Sequence, residues 1–151
     1  MRLALDQNFP LPLVLAFKSF IPPRITLEHL TMIDAALSPV TDSKLIHELS
    51  QRNYDGLVTT DYHMLDDPET VAAMVATKLT MLVIEAAGHD PLKATAALFQ
   101  ELPGLEHRLV PNQANVILHR PRPTKPRPAW EHLRKIADKQ KRRCGRPLEA
   151  A

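Results

Sequence analysis

The sequence has few of the residues that several common protein classes require. It contains one cysteine, Cys144, which excludes a disulfide scaffold and a cysteine-based zinc site. Its four glycines are scattered along the chain, which excludes a glycine-rich phosphate-binding loop. No apolar run reaches the roughly 18 residues of a membrane span, and Asp6 and Asn8 interrupt the apolar start of the chain. We therefore expect no membrane partner, no signal peptide and a cytoplasmic location.

Charge is distributed unevenly along the 151 residues, although the formal net charge is only +2. Residues 1–118 hold 8 Lys/Arg and 14 Asp/Glu, a charge of −6, whereas residues 119–151 hold 11 and 3, a charge of +8. Residues 120–128 are rich in proline and arginine, which is typical of an extended linker, and residues 130–143 favour a short basic helix. The sequence thus predicts a folded domain over 1–118 and a basic, Pro-rich extension over 119–151.

Apolar runs alternate with helix signals within residues 1–118. Asp67 with Pro68, and Asp90 with Pro91, are typical of helix starts because the acid caps the helix and proline suits its first turn. The predicted strands are residues 3–5, 24–30, 57–60, 79–84 and 115–118. The predicted helices are residues 10–20, with prolines 10 and 12 at the start, 41–53, 67–78 and 90–102. This alternation predicts an α/β fold with an open, mostly parallel five-stranded sheet and helices on both faces; residues 31–40 are ambiguous, and residues 55–56 predict a turn.

Aspartates follow two of the predicted strands at their carboxyl ends. Asp6 follows the first strand and Asp61 follows the third. In the common 2-1-3-4-5 order these strands are neighbours where the order reverses, which is where such sheets bind ligands. Two carboxylates about 5 Å apart would repel by roughly 3 kcal/mol at an effective dielectric constant near 20. A hard cation such as Mg²⁺ or Mn²⁺ would relieve that repulsion, although either aspartate alone could simply cap the following turn.

Two other acids have an ordinary explanation in the residue pattern. Asp42 follows Thr41 at a predicted helix start, where an acid complements the helix dipole. Asp67 precedes Pro68 and is explained as an N-cap. The pattern alone therefore assigns neither of them to a site.

The pattern also leaves open whether a further residue completes the site. Glu85 lies at the carboxyl end of the fourth strand, near the expected cleft. His63 lies two residues after Asp61, where it could bind a metal or a phosphate, or be an ordinary loop histidine. Asp66 reads as a solvated loop acid.

Two phosphate-handling enzyme classes share this α/β plan but need other residues. A phospho-acceptor receiver domain needs two adjacent acids after the first strand and a lysine after the last, and this chain has Gln7 and Asn8 after Asp6. A haloacid-dehalogenase-type phosphatase needs Asp-x-Asp there, and Asn8 breaks that pattern. Both classes are disfavoured.

The opening MRLALDQNFP, residues 1–10, resembles that of small bacterial PIN-like domains, where a short strand ends in Asp-x-Asn followed by an apolar residue. Residues 57–65, LVTTDYHML, are similar to the third-strand signature of that family, an apolar run followed by Thr-x-Asp. Asp42, at a helix start before this strand, resembles the second acid of the family. The resemblance covers residues 1–118 in order and spacing, and the basic extension is not part of it.

This resemblance implies a metal-dependent endoribonuclease of the VapC-like toxin type, neutralised by an antitoxin and forming a homodimer. Asp6, Asp42 and Asp61 would be the catalytic carboxylates that bind Mg²⁺ or Mn²⁺, with Asn8 and Thr60 as supporting polar groups. The chain departs from the family at His63, where related sequences often carry a further acid. That acid is then either missing or replaced by Asp66 or Glu85.

The basic extension leaves a second function open. A Lys/Arg-rich, proline-rich segment is often only solvated, but it also suits a polyanion such as RNA, an acidic protein or the acidic domain itself. The alternative to the enzyme is therefore a catalytically degenerate PIN-like module that binds RNA or protein through this extension.

Overall fold

The computed structural model describes residues 1–85, 87, 89–121 and 128–144. The chain divides into two units, Met1–Pro121 and Arg122–Ala151. The strands of the first unit are β1 (Arg2–Leu5), β2 (Thr26–His29), β3 (Gly56–Thr59), β4 (Thr80–Ile84) and β5 (Asn115–His119). Its helices are α1 (Leu11–Ala16), α2 (Leu30–Ile33), α3 (Asp42–Gln51), α4 (Pro68–Thr77) and α5 (Pro91–Glu101).

All five strands form one parallel sheet in the order β2-β1-β3-β4-β5. The order reverses between β1 and β3, where Leu5 pairs with Val58. The predicted α/β class and parallel five-stranded sheet are confirmed. The carboxyl ends of β1 and β3 therefore meet at the edge where open α/β sheets bind ligands.

Helices cover both faces of the sheet because successive strand residues point to opposite sides. Leu3 and Leu5 of β1 pack in one core cluster, whereas Ala4 between them belongs to the other. The first cluster includes residues of α1 and α5, and the second includes residues of α3 and α4. Helices on both faces, as predicted, leave the carboxyl edge between them accessible.

The predicted helix starts at the two Asp-Pro pairs are confirmed. Asp67 caps α4 by accepting hydrogen bonds from the backbone N–H groups of Glu69 and Thr70. Asp90 caps α5 by accepting from the N–H of Lys93 at 3.0 Å. In each helix, proline occupies the first turn, where no hydrogen-bonded N–H is needed.

The turn predicted at residues 55–56 is wrong, because Gly56 is the first residue of β3. A β-carbon on Gly56 would lie 2.7 Å from the carbonyl oxygen of Thr80 and 2.8 Å from the side chain of Leu3. Glycine is required here because neighbouring groups approach its α-carbon closely, and not because the chain reverses.

The first predicted helix differs in its end and not in its start. It begins at Leu11, beside the prolines at 10 and 12 as predicted, but ends at Ala16 and is followed by a separate 3-10 turn at Lys18–Phe20. Residues 31–40 contain most of the one-turn helix α2 and a 3-10 turn at Ala35–Leu37. Such short turns leave no amphipathic period in the sequence.

The second unit contains one helix, α6 (Ala129–Cys144), among its described residues. The linker predicted over residues 120–128 falls mostly on residues 122–127, which lie outside the described residues. Within the part of the chain that the structure describes, no helix is long and apolar enough to cross a membrane.

Candidate functional site

Asp6 is held at the reversal of strand order by hydrogen bonds to its backbone and its carboxylate. It directly follows β1, and its N–H donates to the carbonyl of Val58 at 2.9 Å. Its Oδ2 accepts from Thr59 Oγ1 at 2.9 Å and, more weakly, from Asn8 Nδ2 at 3.5 Å. The carboxylate is half-buried and turned toward β3.

Thr59 connects Asp6 to Asp61 through one buried hydroxyl. Its side chain is fully buried at the end of β3. The hydroxyl donates to Asp6 and accepts from the backbone N–H of Asp61 at 3.0 Å. Asp61 uses Oδ1 to cap the next turn by accepting from His63 N–H at 2.9 Å. The turn-capping explanation of Asp61 is therefore correct, and the same residue also lines the cleft described below.

Asp42 is the first residue of α3, and its acidic group lies near those of Asp6 and Asp61. Although the residue as a whole is exposed, its carboxyl is partly shielded from water. This shielding, followed by the negative charges of Asp61, Asp6 and Asp67, raises the pKa of Asp42. The structure thus brings Asp42 close enough to the strand-end acids to feel their charge.

The three aspartates line one cleft of about 150 Å³. None of the described residues that line this cleft is lysine or arginine. Its other lining residues are Gln7, Asn8, Leu30, Leu37, Ser38, Val40, Leu45, Leu57 and Met64. The cleft therefore combines apolar walls with acidic groups that no basic side chain in its lining neutralises.

The chemistry of these donors fits a hard divalent cation. Carboxylate oxygens and the Asn8 amide oxygen are ligands that Mg²⁺ and Mn²⁺ prefer. Within the described ranges, no group of three or more His, Cys, Asp or Glu side chains is arranged to hold a metal ion. The donor set fits the cation in kind, while the three carboxylates surround the cleft without meeting at one coordination point.

Asn8 lines the cleft, but the remaining candidate residues do not. His63 Nδ1 lies 3.2 Å from Asp66 Oδ2, and both side chains are exposed. Glu85 accepts from Arg120 Nε at 2.9 Å. Thr60 follows β3, but the hydroxyl that contacts Asp6 belongs to Thr59. Among the described residues, the threonine hydroxyl that contacts Asp6 is therefore that of Thr59 and not that of Thr60.

A second supporting group, His29, was not identified in the sequence. His29 is buried at the end of β2, and its Nδ1 accepts from the N–H of Thr31 at 3.3 Å. Its Nε2 therefore carries the hydrogen and donates to the carbonyl of Phe9 at 3.0 Å. This bond holds the segment that follows Asp6. Only the position of His29 at the end of a predicted strand could have indicated this role.

Comparison of the chain with models of protein families, with curated proteins and with solved structures finds no match.

Proposed function

We propose that residues 1–118 form a metal-dependent endoribonuclease of the PIN-like, VapC toxin type. The observation that carries this proposal is the cleft of Asp6, Asp42 and Asp61, three carboxylates from distant parts of the chain with no lysine or arginine in the described lining. Uncompensated carboxylates are costly unless a cation binds them. A divalent cation is the ligand that best accounts for keeping them together.

In this mechanism Asp6, Asp42 and Asp61 would hold the cation, and the RNA phosphate would be oriented by its attraction to that positive charge. When bound, such an ion lowers the pKa of a water molecule and offsets the charge that develops on the phosphate. Thr59 and Asn8 keep the Asp6 carboxylate turned toward the cleft. A carboxylate of the same set accepts the proton of the attacking water.

The biological setting belongs to the same proposal. An antitoxin would neutralise the enzyme, and the active form would be a homodimer in the cytoplasm. Both follow from the resemblance of residues 1–10 and 57–65 to the VapC-like family.

One observation favours a second candidate function, a degenerate module that binds RNA or protein without cutting. In the described part of the chain no three potential ligands are arranged to hold an ion, and His63 stands where related sequences carry an acid. On this alternative the cleft would bind no divalent cation, and RNA would be bound equally well in EDTA and in Mg²⁺ without being cut.

Cleavage of single-stranded RNA in Mg²⁺, in Mn²⁺ and in EDTA tests the enzyme. We expect cleavage with either metal and none in EDTA. Asp6→Asn or Asp61→Asn should lower the rate at least about 100-fold, because each removes part of an interaction that contributes several kcal/mol.

The matched control is Asp55→Asn, at the amino end of β3, away from the cleft. Asp55 Oδ2 accepts from the N–H of Arg2 at 2.7 Å, and asparagine keeps an acceptor there. This control should cleave at close to the parent rate. Cleavage at parental rates by both cleft variants, or undiminished cleavage in EDTA, would show that the proposed function is wrong.

A further inference from the structure

Helix α6 separates apolar from basic side chains around its axis. At 100° per residue, Trp130, Leu133 and Ile136 lie on one side. Another side carries a shallow groove lined by Ile136, Asp138 and four basic side chains, and these four are all exposed. We refer to these four, His132, Lys135, Lys139 and Arg142, as the basic row. The helix carries six Lys/Arg and two Asp/Glu, a net charge of +4.

The arginines of the first unit are, by contrast, largely engaged in ion pairs. Four of its arginines have an acidic partner: Arg2 pairs with Glu28, Arg52 with Asp34, Arg108 with Glu101 and Arg120 with Glu85. Among the described residues, no lysine or arginine of α6 takes part in an ion pair. Residues 1–118, with a charge of −6, repel a polyanion, so the cations that attract one must come from elsewhere in the chain.

Trp130 adds a surface on which a base can stack. It is 71% exposed, and Arg134 follows one helical turn later on a neighbouring part of the surface. Proteins that bind single-stranded nucleic acids combine cations along the backbone with aromatic rings that stack on bases. A second copy of α6 fits this surface poorly because two helices of charge +4 repel each other.

We propose that α6 is the element that binds single-stranded RNA, with the basic row contacting phosphates on one side of the helix and Trp130 stacking on a base on the opposite side. The choice of RNA as the polyanion rests on the proposed function. None of the described residues that line the acidic cleft is a lysine or arginine that could hold the substrate. Helix α6 supplies the positive charge that the cleft lacks.

The test uses the full chain and a fluorescein-labelled, unstructured single-stranded RNA in EDTA, so that binding is measured without cleavage. Because the chain has one tryptophan, quenching of its emission by RNA reports contact at Trp130. Replacing three cations of the row, Lys135→Gln, Lys139→Gln and Arg142→Gln together, should weaken binding about 100-fold at 0.1 M salt. The slope of log affinity against log salt should become shallower by about 2, since each phosphate contact contributes about 0.7.

The matched control removes the same charge from the first unit: Lys18→Gln, Lys44→Gln and Lys93→Gln, all exposed. It should bind within about 3-fold of the parent, since none of its charges contacts phosphate. Equal affinities for the two triple variants would overturn the proposal. It would also fail if anionic lipid vesicles or an acidic protein, and not RNA, changed the Trp130 emission. Cleavage by the parent in Mg²⁺ is scored separately, so a protein that binds through α6 but does not cut refutes the proposed function alone.

Discussion

The first unit contains acids in two opposite environments. Glu101 lies among basic side chains, whereas Asp42 lies near other acids. Glu101 accepts from His119 Nδ1 at 2.7 Å and from Arg108 Nη1 at 2.6 Å. Burial alone would raise the pKa of Glu101, but these hydrogen bonds and charges outweigh it, and the pKa is lowered. Asp42 has only partial burial and other acids around its carboxyl, and its pKa is raised.

This difference separates an acid whose charge is neutralised within the fold from the acids that our proposal assigns to a cation. Glu101 links the end of α5 to β5 and to the turn at Leu105–Arg108, so its charge is used within the fold. The charges of Asp6, Asp42 and Asp61 oppose one another in the cleft, so the fold gains from removing one of them. Substitution should therefore lower the free energy of unfolding at Glu101 and raise it at Asp42.

The largest effect on stability is expected at Glu101, whose charge is paired with Arg108 and His119. Glu101→Ala should lower the free energy of unfolding by about 2 kcal/mol, because it leaves Arg108 Nη1 and His119 Nδ1 without their carboxylate acceptor in a place where the Glu101 side chain is only 16% exposed. Urea denaturation measures the change. Glu106→Ala on the adjoining turn is the control and should change stability by less than about 0.5 kcal/mol. If Glu101→Ala left the free energy of unfolding unchanged, Glu101 and Asp42 would not differ in their effect on stability.

A smaller loss is expected at Thr59, which supports the cleft from beneath. Thr59→Val keeps the shape but removes the hydroxyl between Asp6 and Asp61, which should cost about 1.5 kcal/mol and lower RNA cleavage by about 10-fold or more, as supporting residues of metal sites do. Thr59→Ser keeps the hydroxyl and should cleave within a few-fold of the parent. If valine and serine gave the same cleavage rate, Thr59 would be a packing residue and would not position Asp6.

The smallest effect, of opposite sign, is expected at Asp42. In EDTA at pH 7, Asp42→Asn should raise the free energy of unfolding by about 0.5 kcal/mol, the scale of interactions between exposed charges. Because the folded chain raises the pKa of Asp42 above its ordinary 3.8, the folded state binds this proton more tightly than the unfolded state. The penalty is thus present above the folded pKa and disappears as the pH falls toward 3.8.

The lowered pKa of Glu101 predicts the reverse, with stability lost as the pH falls below its ordinary 4.5. Unfolding free energies of the parent and of both variants, measured between pH 7 and about pH 4, separate the two cases. A gain from Asp42→Asn that stayed constant over this range would mean that its carboxyl is not under the influence of the other acids.

Much of the fold could be predicted because its signals are local. The Asp-Pro pairs mark the starts of α4 and α5, and the apolar run before Glu85 marks a strand buried on both faces. The strand-end positions of Asp6 and Asp61 indicated a shared edge once the common strand order was assumed. Asp42 could be named as a candidate site residue only through the family resemblance, because an acid in the first turn is ordinary at a helix start.

The remainder depends on contacts between distant residues that leave no pattern in the sequence. The ion pair of Glu101 with Arg108 and the hydrogen bond of His29 with Phe9 are examples. The hydrogen bond of Thr59 with Asp6 is a further example, because the family resemblance pointed to the neighbouring Thr60. Gly56 was misread because an Asp-Gly pair resembles a turn, whereas close approach to Thr80 and Leu3 explains the glycine.

The most direct test of the central claim is a crystal of the full chain grown with Mn²⁺, examined for anomalous scattering from the metal. The account predicts a peak in the cleft within coordination distance of the Asp6, Asp42 and Asp61 carboxylates, and loss of that peak in Asp42→Asn. A cleft without a peak in crystals that bind manganese elsewhere, or a peak that survives the loss of Asp42, would contradict it.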